Sequence, residues 1–105
     1  MNEFIIIGKA LEAPEAKTAE SGTNYAQMLI GVKRPFKNRD GSIDDDIIQV
    51  TMFNACAEEA IENVKKDSAV MIKGHISSSS YVKDDRTIYT SSNIADRVSV
   101  LSQIL

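Results

Sequence analysis

Ile47-Ile48-Gln49-Val50-Thr51-Met52-Phe53 decides how this chain folds. Successive side chains of an extended strand point to opposite faces, so Ile48, Val50 and Met52 share one side and Ile47, Gln49, Thr51 and Phe53 the other. The first set is a core face. The second holds two polar residues and meets water, which leaves Phe53 as an aromatic ring on a wet surface. Two readings account for it: a ligand lies against the ring, or a strand or loop of the same chain covers it.

Just downstream, Ala57, Ala60, Ile61 and Val64 recur at helical spacing and give a narrow apolar stripe on a short helix. Asn54 is expected to cap it, Glu58 and Glu59 to suit its positive first turn, and Lys65-Lys66 its negative last one. These charges read as a solvated helix surface. Asp67 then stands where glycine would end the helix more easily, so left-handed backbone is expected there.

Upstream, a strand runs from Asn24 to about Arg34, with Ala26, Met28, Ile30 and Val32 inward and Tyr25, Gln27 and Lys33 outward. Pro35 ends it, because proline has no amide proton for the ladder. The hairpin-like loop Phe36-Lys37-Asn38-Arg39-Asp40-Gly41 follows, with Asp-Gly as its turn signal. Lys33, Arg34, Lys37 and Arg39 surround Phe36, the densest basic and aromatic mixture in the chain. Residues 13–23, with Pro14 and Ser21-Gly22, read as a polar connection. Residues 4–11 open the chain as a strand greasy on both faces: Phe4 and Ile6 on one, Ile5 and Ile7 on the other. Either a second subunit or a loop of the same chain meets the outer one. Gly8 marks a bulge or a close backbone approach.

Farther downstream a strand starts near Ala69, with Val70, Ile72, Gly74 and Ile76 inward and Met71, Lys73, His75, Ser77, Ser79 and Tyr81 outward. Tyr81 repeats the pattern of Phe53, an aromatic in phase with a polar face. Asp84-Asp85 form a turn flanked by Lys83 and Arg86. A last strand runs from about Thr87 to Ala95, and Val98, Val100 and Leu101 close the core.

The length of 105 residues bounds the chain to one domain with one modest core. A hydrophobic content of 43% and a charged content of 26% are those of a soluble globular protein. The net charge of −3 supplies no global field for a polyanion, so a nucleic-acid site has to be a local basic patch, salt-sensitive and modest in strength. Cys56 is the sole cysteine, which excludes an internal disulfide and suits a reducing compartment. No apolar run is long enough to span a bilayer and Met1-Asn2-Glu3 is no signal-peptide flank, so a cytoplasmic protein is expected. Asp44-Asp45-Asp46 point apart along a strand and find no further ligand at metal spacing. His75 alone reads as solvent-facing. With no nucleophile motif, phosphate-cradling glycine loop or zinc ligand set, neither an enzyme nor a cofactor is expected.

Five strands with one helix between the third and fourth is the order of an OB-fold, a small all-β Greek-key barrel. Asn2…Ile6-Ile7-Gly8-Lys9, Pro14-Glu15, Ser21-Gly22 and Gly31-Val32-Lys33-Arg34-Pro35-Phe36-Lys37 resemble the first half of bacterial and phage-type single-stranded DNA-binding proteins. Phe53-Asn54 with Ala57-Glu58, Val64-Lys65-Lys66, Val70-Met71-Ile72-Lys73-Gly74, Tyr81 and Tyr89-Thr90 resemble the second half. The resemblance keeps its order over nearly the whole chain. It implies non-catalytic, sequence-independent binding and protection of single-stranded DNA in replication, recombination or repair. Bases stack on exposed rings while basic side chains follow the phosphates. It implies Phe36, Phe53 and Tyr81 as the stacking rings and makes Lys33, Arg34, Lys37, Lys73, Lys83 and Arg86 the candidate phosphate partners. It also implies a homo-oligomer, a tetramer ahead of a dimer, assembled through Phe4, Ile5, Ile6, Ile7 and Lys9.

The chain departs from that family's pattern in four ways. Ile47 stands where members commonly carry a stacking aromatic, there is no tryptophan, and the domain is acidic, so weaker DNA binding is expected. The flexible, acidic-tipped tail with which members recruit other proteins has no match in residues 1–105, which read as a single domain, so no tail-mediated recruitment is inferred. The alternative is an OB-fold protein-interaction module of a primosome-like assembly with little or no DNA binding.

Overall fold

The alternation at residues 47–53 becomes one wall of a closed barrel. The computed structural model describes residues 1–101. Its elements are strands β1 (Phe4–Ala10), β2 (Glu15–Thr18), β3 (Asn24–Lys33) and β4 (Asp45–Phe53), helix α1 (Asn54–Asn63), and strands β5 (Ala69–Lys83) and β6 (Arg86–Val100). β3 pairs with β4 along its whole length, from Tyr25 opposite Phe53 to Lys33 opposite Asp45. The other edge of β3 is shared. Its first half takes β2, with Lys17 opposite Tyr25, and its second half takes β1, with Lys9 opposite Gly31. β1 continues to β5, β5 to β6, and β6 meets β4 in a short parallel contact at Thr51 and Ile94. The circuit is that of an OB-fold, with the helix between β4 and β5.

One strand was not expected. Residues 13–23 read as a connection because Glu15, Lys17 and Thr18 show no apolar alternation, yet residues 15–18 pair with β3. β1 and β2 are thus two pieces laid along one edge of β3, interrupted around Pro14, which cannot donate to a ladder.

Ala26, Met28 and Ile30 of β3, Val50 and Met52 of β4, and Val70 and Ile72 of β5 fill the interior. Ala57, Ala60 and Val64 close one end. Ile61, assigned to the same stripe, stays 46% exposed, because only the small residues of the helix can approach the sheets closely. The cap differs as well: Phe53 occupies the N-cap with no side-chain bond, and Asn54 sits just inside the helix with a left-handed φ of 52°. Glu58 and Glu59 fall beyond the first turn, and Lys65-Lys66 beyond the last. Asp67 does adopt the left-handed conformation, φ 71°, and its amide donates to the Ala10 carbonyl at 2.8 Å.

β5 and β6 are 15 residues each, far longer than the barrel needs. Full burial stops at Gly74 and Ala95; Ile76 and Asn93 still bond to Asn2 and Gln49, and past them the two strands run on as an exposed arm. Ile76, assigned to the inner face by phase, therefore lies outside, 48% exposed. A bulge between Lys73 and Gly74 marks the exit. Gly74 is required there, since an added Cβ would strike the Ile94 carbonyl and the Phe4 ring. At the tip, Asp84 and Asp85 both take positive φ, 51° and 61°, the mirror-image two-residue turn whose twist suits a hairpin.

Candidate nucleic-acid interface

The outer face of the β3–β4 ribbon follows from the register. Residues directly opposite in an antiparallel pair project to the same side, so Tyr25 and Phe53, Gln27 and Thr51, Leu29 and Gln49, Gly31 and Ile47, and Lys33 and Asp45 form five rows. At ~3.4 Å per residue they span roughly 27 Å. Phe53 lies at one end, 38% exposed, its ring centroid 5.9 Å from that of Tyr25 and tilted by 37°. Gln27 Nε2 reaches Thr51 Oγ1 at 3.4 Å in the next row. Ile47, 55% exposed, is the aliphatic member toward the far end.

Past Lys33 the chain turns through residues 34–44. The Asn38 amide donates to the Ser42 carbonyl at 2.7 Å, and the Asp40 carboxylate accepts the Ser42 hydroxyl at 2.6 Å and the Ser42 amide at 2.9 Å. These two bonds, the hydroxyl first, hold the Asp40 carboxyl below its ordinary pKa. The tight base of this loop leaves Phe36 projecting, 60% exposed.

On the arm, Tyr81 stands opposite Ile88, and Lys83 opposite Arg86 two positions nearer the tip, all on one face. Tyr81 is 52% exposed. A groove of about 260 Å³ joins arm to ribbon, lined by Gln27, Ile47, Gln49, Thr51, Ser92 and Asn93. Asn93 Nδ2 donates across it to the Gln49 carbonyl at 3.1 Å.

The six basic residues are not equivalent. Arg34 Nε donates to Asp46 Oδ1 at 2.9 Å, and Lys73 Nζ to Glu3 Oε1 at 2.8 Å, which raises the Lys73 pKa. Lys33, Lys37, Lys83 and Arg86 have no carboxylate partner among the described residues. His75 is engaged by Asp96, Nδ1 to Oδ2 2.9 Å. Among the described residues no three His, Cys, Asp or Glu side chains group as metal ligands, and no helix is long and apolar enough to cross a membrane.

Phe36 and Phe53 stand at opposite ends of the ribbon face and Tyr81 on the arm, so no single pocket gathers them. Such a layout cannot enclose a compact ligand and can line the course of an extended one. Tyr25 shares the outward phase of Gln27 and Lys33, and is a third ring on a polar strand face. The strand alternation that sets Phe53 and Tyr81 on polar faces sets Tyr25 there too. On β1, Ile5 and Ile7 point outward, 62% and 58% exposed, while Phe4 and Ile6 lean on the core. Lys9 pairs with Asp67 at 3.7 Å.

Residues 1–101 match the Single-strand binding protein family. Single-stranded DNA-binding protein 1 of Staphylococcus aureus is 29% identical over 102 residues, covering 96% of this chain and 65% of its own length. Single-stranded DNA-binding protein 3 of Listeria innocua is 28% identical, with 96% and 64% covered. Single-stranded DNA-binding protein B of Bacillus subtilis is 28% identical over 98 residues, with 92% and 87% covered. The chain thus spans slightly under two thirds of the length of the staphylococcal and listerial relatives. With the match running through the whole barrel and its arm, the chain belongs to the single-strand binding protein family.

Proposed function

We propose that this chain binds single-stranded DNA without sequence preference and shields it, without catalysis, in replication, recombination or repair. The observation that carries the reading is the exposure of Phe36, Phe53 and Tyr81 along the ribbon face and arm, at 60%, 38% and 52%. Rings held toward solvent cost free energy unless something covers them, and a nucleobase of any kind offers a flat face to do so. Lys33, Lys37, Lys83 and Arg86, which pair with no carboxylate among the described residues, take the phosphates, and Arg34 and Lys73 join once their acids are displaced. Ile47 covers a base without offering it a π-face. The names of the relatives agree with this reading. With a net charge of −3 the binding depends on local cations and not on a global field.

The same reading makes the chain a homo-oligomer, a tetramer ahead of a dimer. Its support is the outward Ile5 and Ile7 beside a strand edge that no described residue pairs between Phe4 and Gly8.

Titration of labelled oligo-dT by fluorescence anisotropy, at two or more salt concentrations, tests the function. With four free cations engaged, log K falls with log salt at a slope of roughly −3, from about −0.7 per phosphate. Phe53→Ala and Tyr81→Ala each weaken binding by roughly 5- to 150-fold, one lost stack of about 1–3 kcal/mol. A chain that ignores the oligonucleotide even at low salt overturns the reading.

A further inference from the structure

One row of side chains crosses three strands and ends in an unpaired cation. Lys17 on β2 stands directly opposite Tyr25 on β3, and Tyr25 directly opposite Phe53 on β4. All three therefore project from one face, and at about 4.8 Å between strands the row is about 10 Å wide. The Tyr25 and Phe53 rings touch but cross at 37°, so neither covers the other. Lys17 has no carboxylate partner among the described residues. Beside it opens a cleft of about 510 Å³ between the β2–β3 turn and α1, with Lys17 and Tyr25 on its sheet side and Glu58 and Ile61 on its helix side. Glu58 repels an anion from the helix, so a phosphate in this region is drawn to the Lys17 rim.

We propose that Lys17, Tyr25 and Phe53 form a nucleotide subsite in which one base of a single strand lies across the two rings and Lys17 neutralises the adjoining phosphate. The strand then leaves the barrel over β2 instead of ending at Phe53. This deepens the single-stranded DNA reading and rests on it. A Tyr25 that only packed on Phe53 would leave Lys17 without a part in binding and would feel no base.

Those consequences separate in solution, using the whole chain and labelled oligo-dT. Lys17→Gln, a surface change, weakens binding severalfold and makes the salt slope shallower by about 0.7. Tyr25→Leu keeps apolar bulk, loses the π-face, and weakens binding about fivefold or more. With no tryptophan and three tyrosines in the chain, Tyr81→Phe with Tyr89→Phe leaves Tyr25 as the one tyrosine emitter. Oligo-dT quenches its emission if a base lies on it. Should Tyr25→Leu fail to fold, the lysine variant and the emission measurement still decide the matter. Wild-type binding with an unchanged affinity and slope in Lys17→Gln and an unquenched Tyr25 overturns the subsite and leaves the function standing. A wild-type chain that binds nothing overturns both.

Discussion

Glu3 shows how a single carboxylate sets what a neighbouring cation can do. Its hydrogen bond, and then its charge, raise Lys73 above the ordinary lysine value of 10.5, so Lys73 meets a phosphate only by leaving a partner 2.8 Å away. Both side chains are solvent-exposed enough that the pair adds little to stability. What it adds has a definite sign: it is fully present below the ordinary lysine pKa and is lost as pH rises through the raised one. Glu3→Gln is expected to bring Lys73 back toward 10.5, to tighten oligo-dT binding, and to steepen the salt slope by about 0.7. Glu62→Gln on the exposed side of α1 makes the same change in net charge and should do neither. NMR titration of the Lys73 ammonium and anisotropy at several salt concentrations check both. This pairing was not legible in the sequence, because Glu3 and Lys73 are 70 positions apart and meet only once β1 lies on β5. The side of the strand that Phe53 takes was legible, because the phase of one strand suffices to place it; that no strand or loop buries the ring was decided by the fold.

At the scale of elements, the β5–β6 arm carries Tyr81, Lys83 and Arg86 away from the barrel, and its root decides whether it stands. Gly74 lies at the bulge, with the Ile94 carbonyl and the Phe4 ring where a side chain would begin. Backbone cannot yield as a flexible side chain can. Gly74→Ala is therefore expected to destabilise the fold by roughly 1–3 kcal/mol or more, lowering Tm by several degrees to about 20 °C in thermal unfolding. Gly22→Ala is no equivalent control, since its φ of 89° is itself strained for alanine although its surroundings are open. The better comparison is Ser78→Ala on the exposed arm, which should leave Tm unchanged. Strand phase predicted an inward Ile76 and failed, because phase says which side a residue takes and not where the opposing wall ends. It missed β2 for the converse reason: an edge strand of four residues is held by β3 and needs no apolar face of its own.

For the whole molecule, an arm on one side and an apolar strand on another give extents of 47 × 37 × 27 Å. Ile5 and Ile7 sit on that strand largely exposed. Replacing both by glutamate places charges on a face the single barrel does not bury, so the monomer is expected to fold while self-association fails. Light scattering should then report the 11.5 kDa single chain in place of a multiple of it, and a wild-type chain already of that mass would sink the assembly proposal. Five of the six strands, the helix after β4 and the wet side of β3 and β4 were determined by the sequence by itself, because alternation with period two and the breaks at Pro35 and the turns are local properties. Closure of the barrel decided the rest. Asn2 bonds both backbone groups of Ile76, Glu3 holds Lys73, and Tyr25 meets Phe53 only because distant strands become neighbours in one register. Free cations, covered faces and touching rings are properties of that register, which no stretch of chain contains alone.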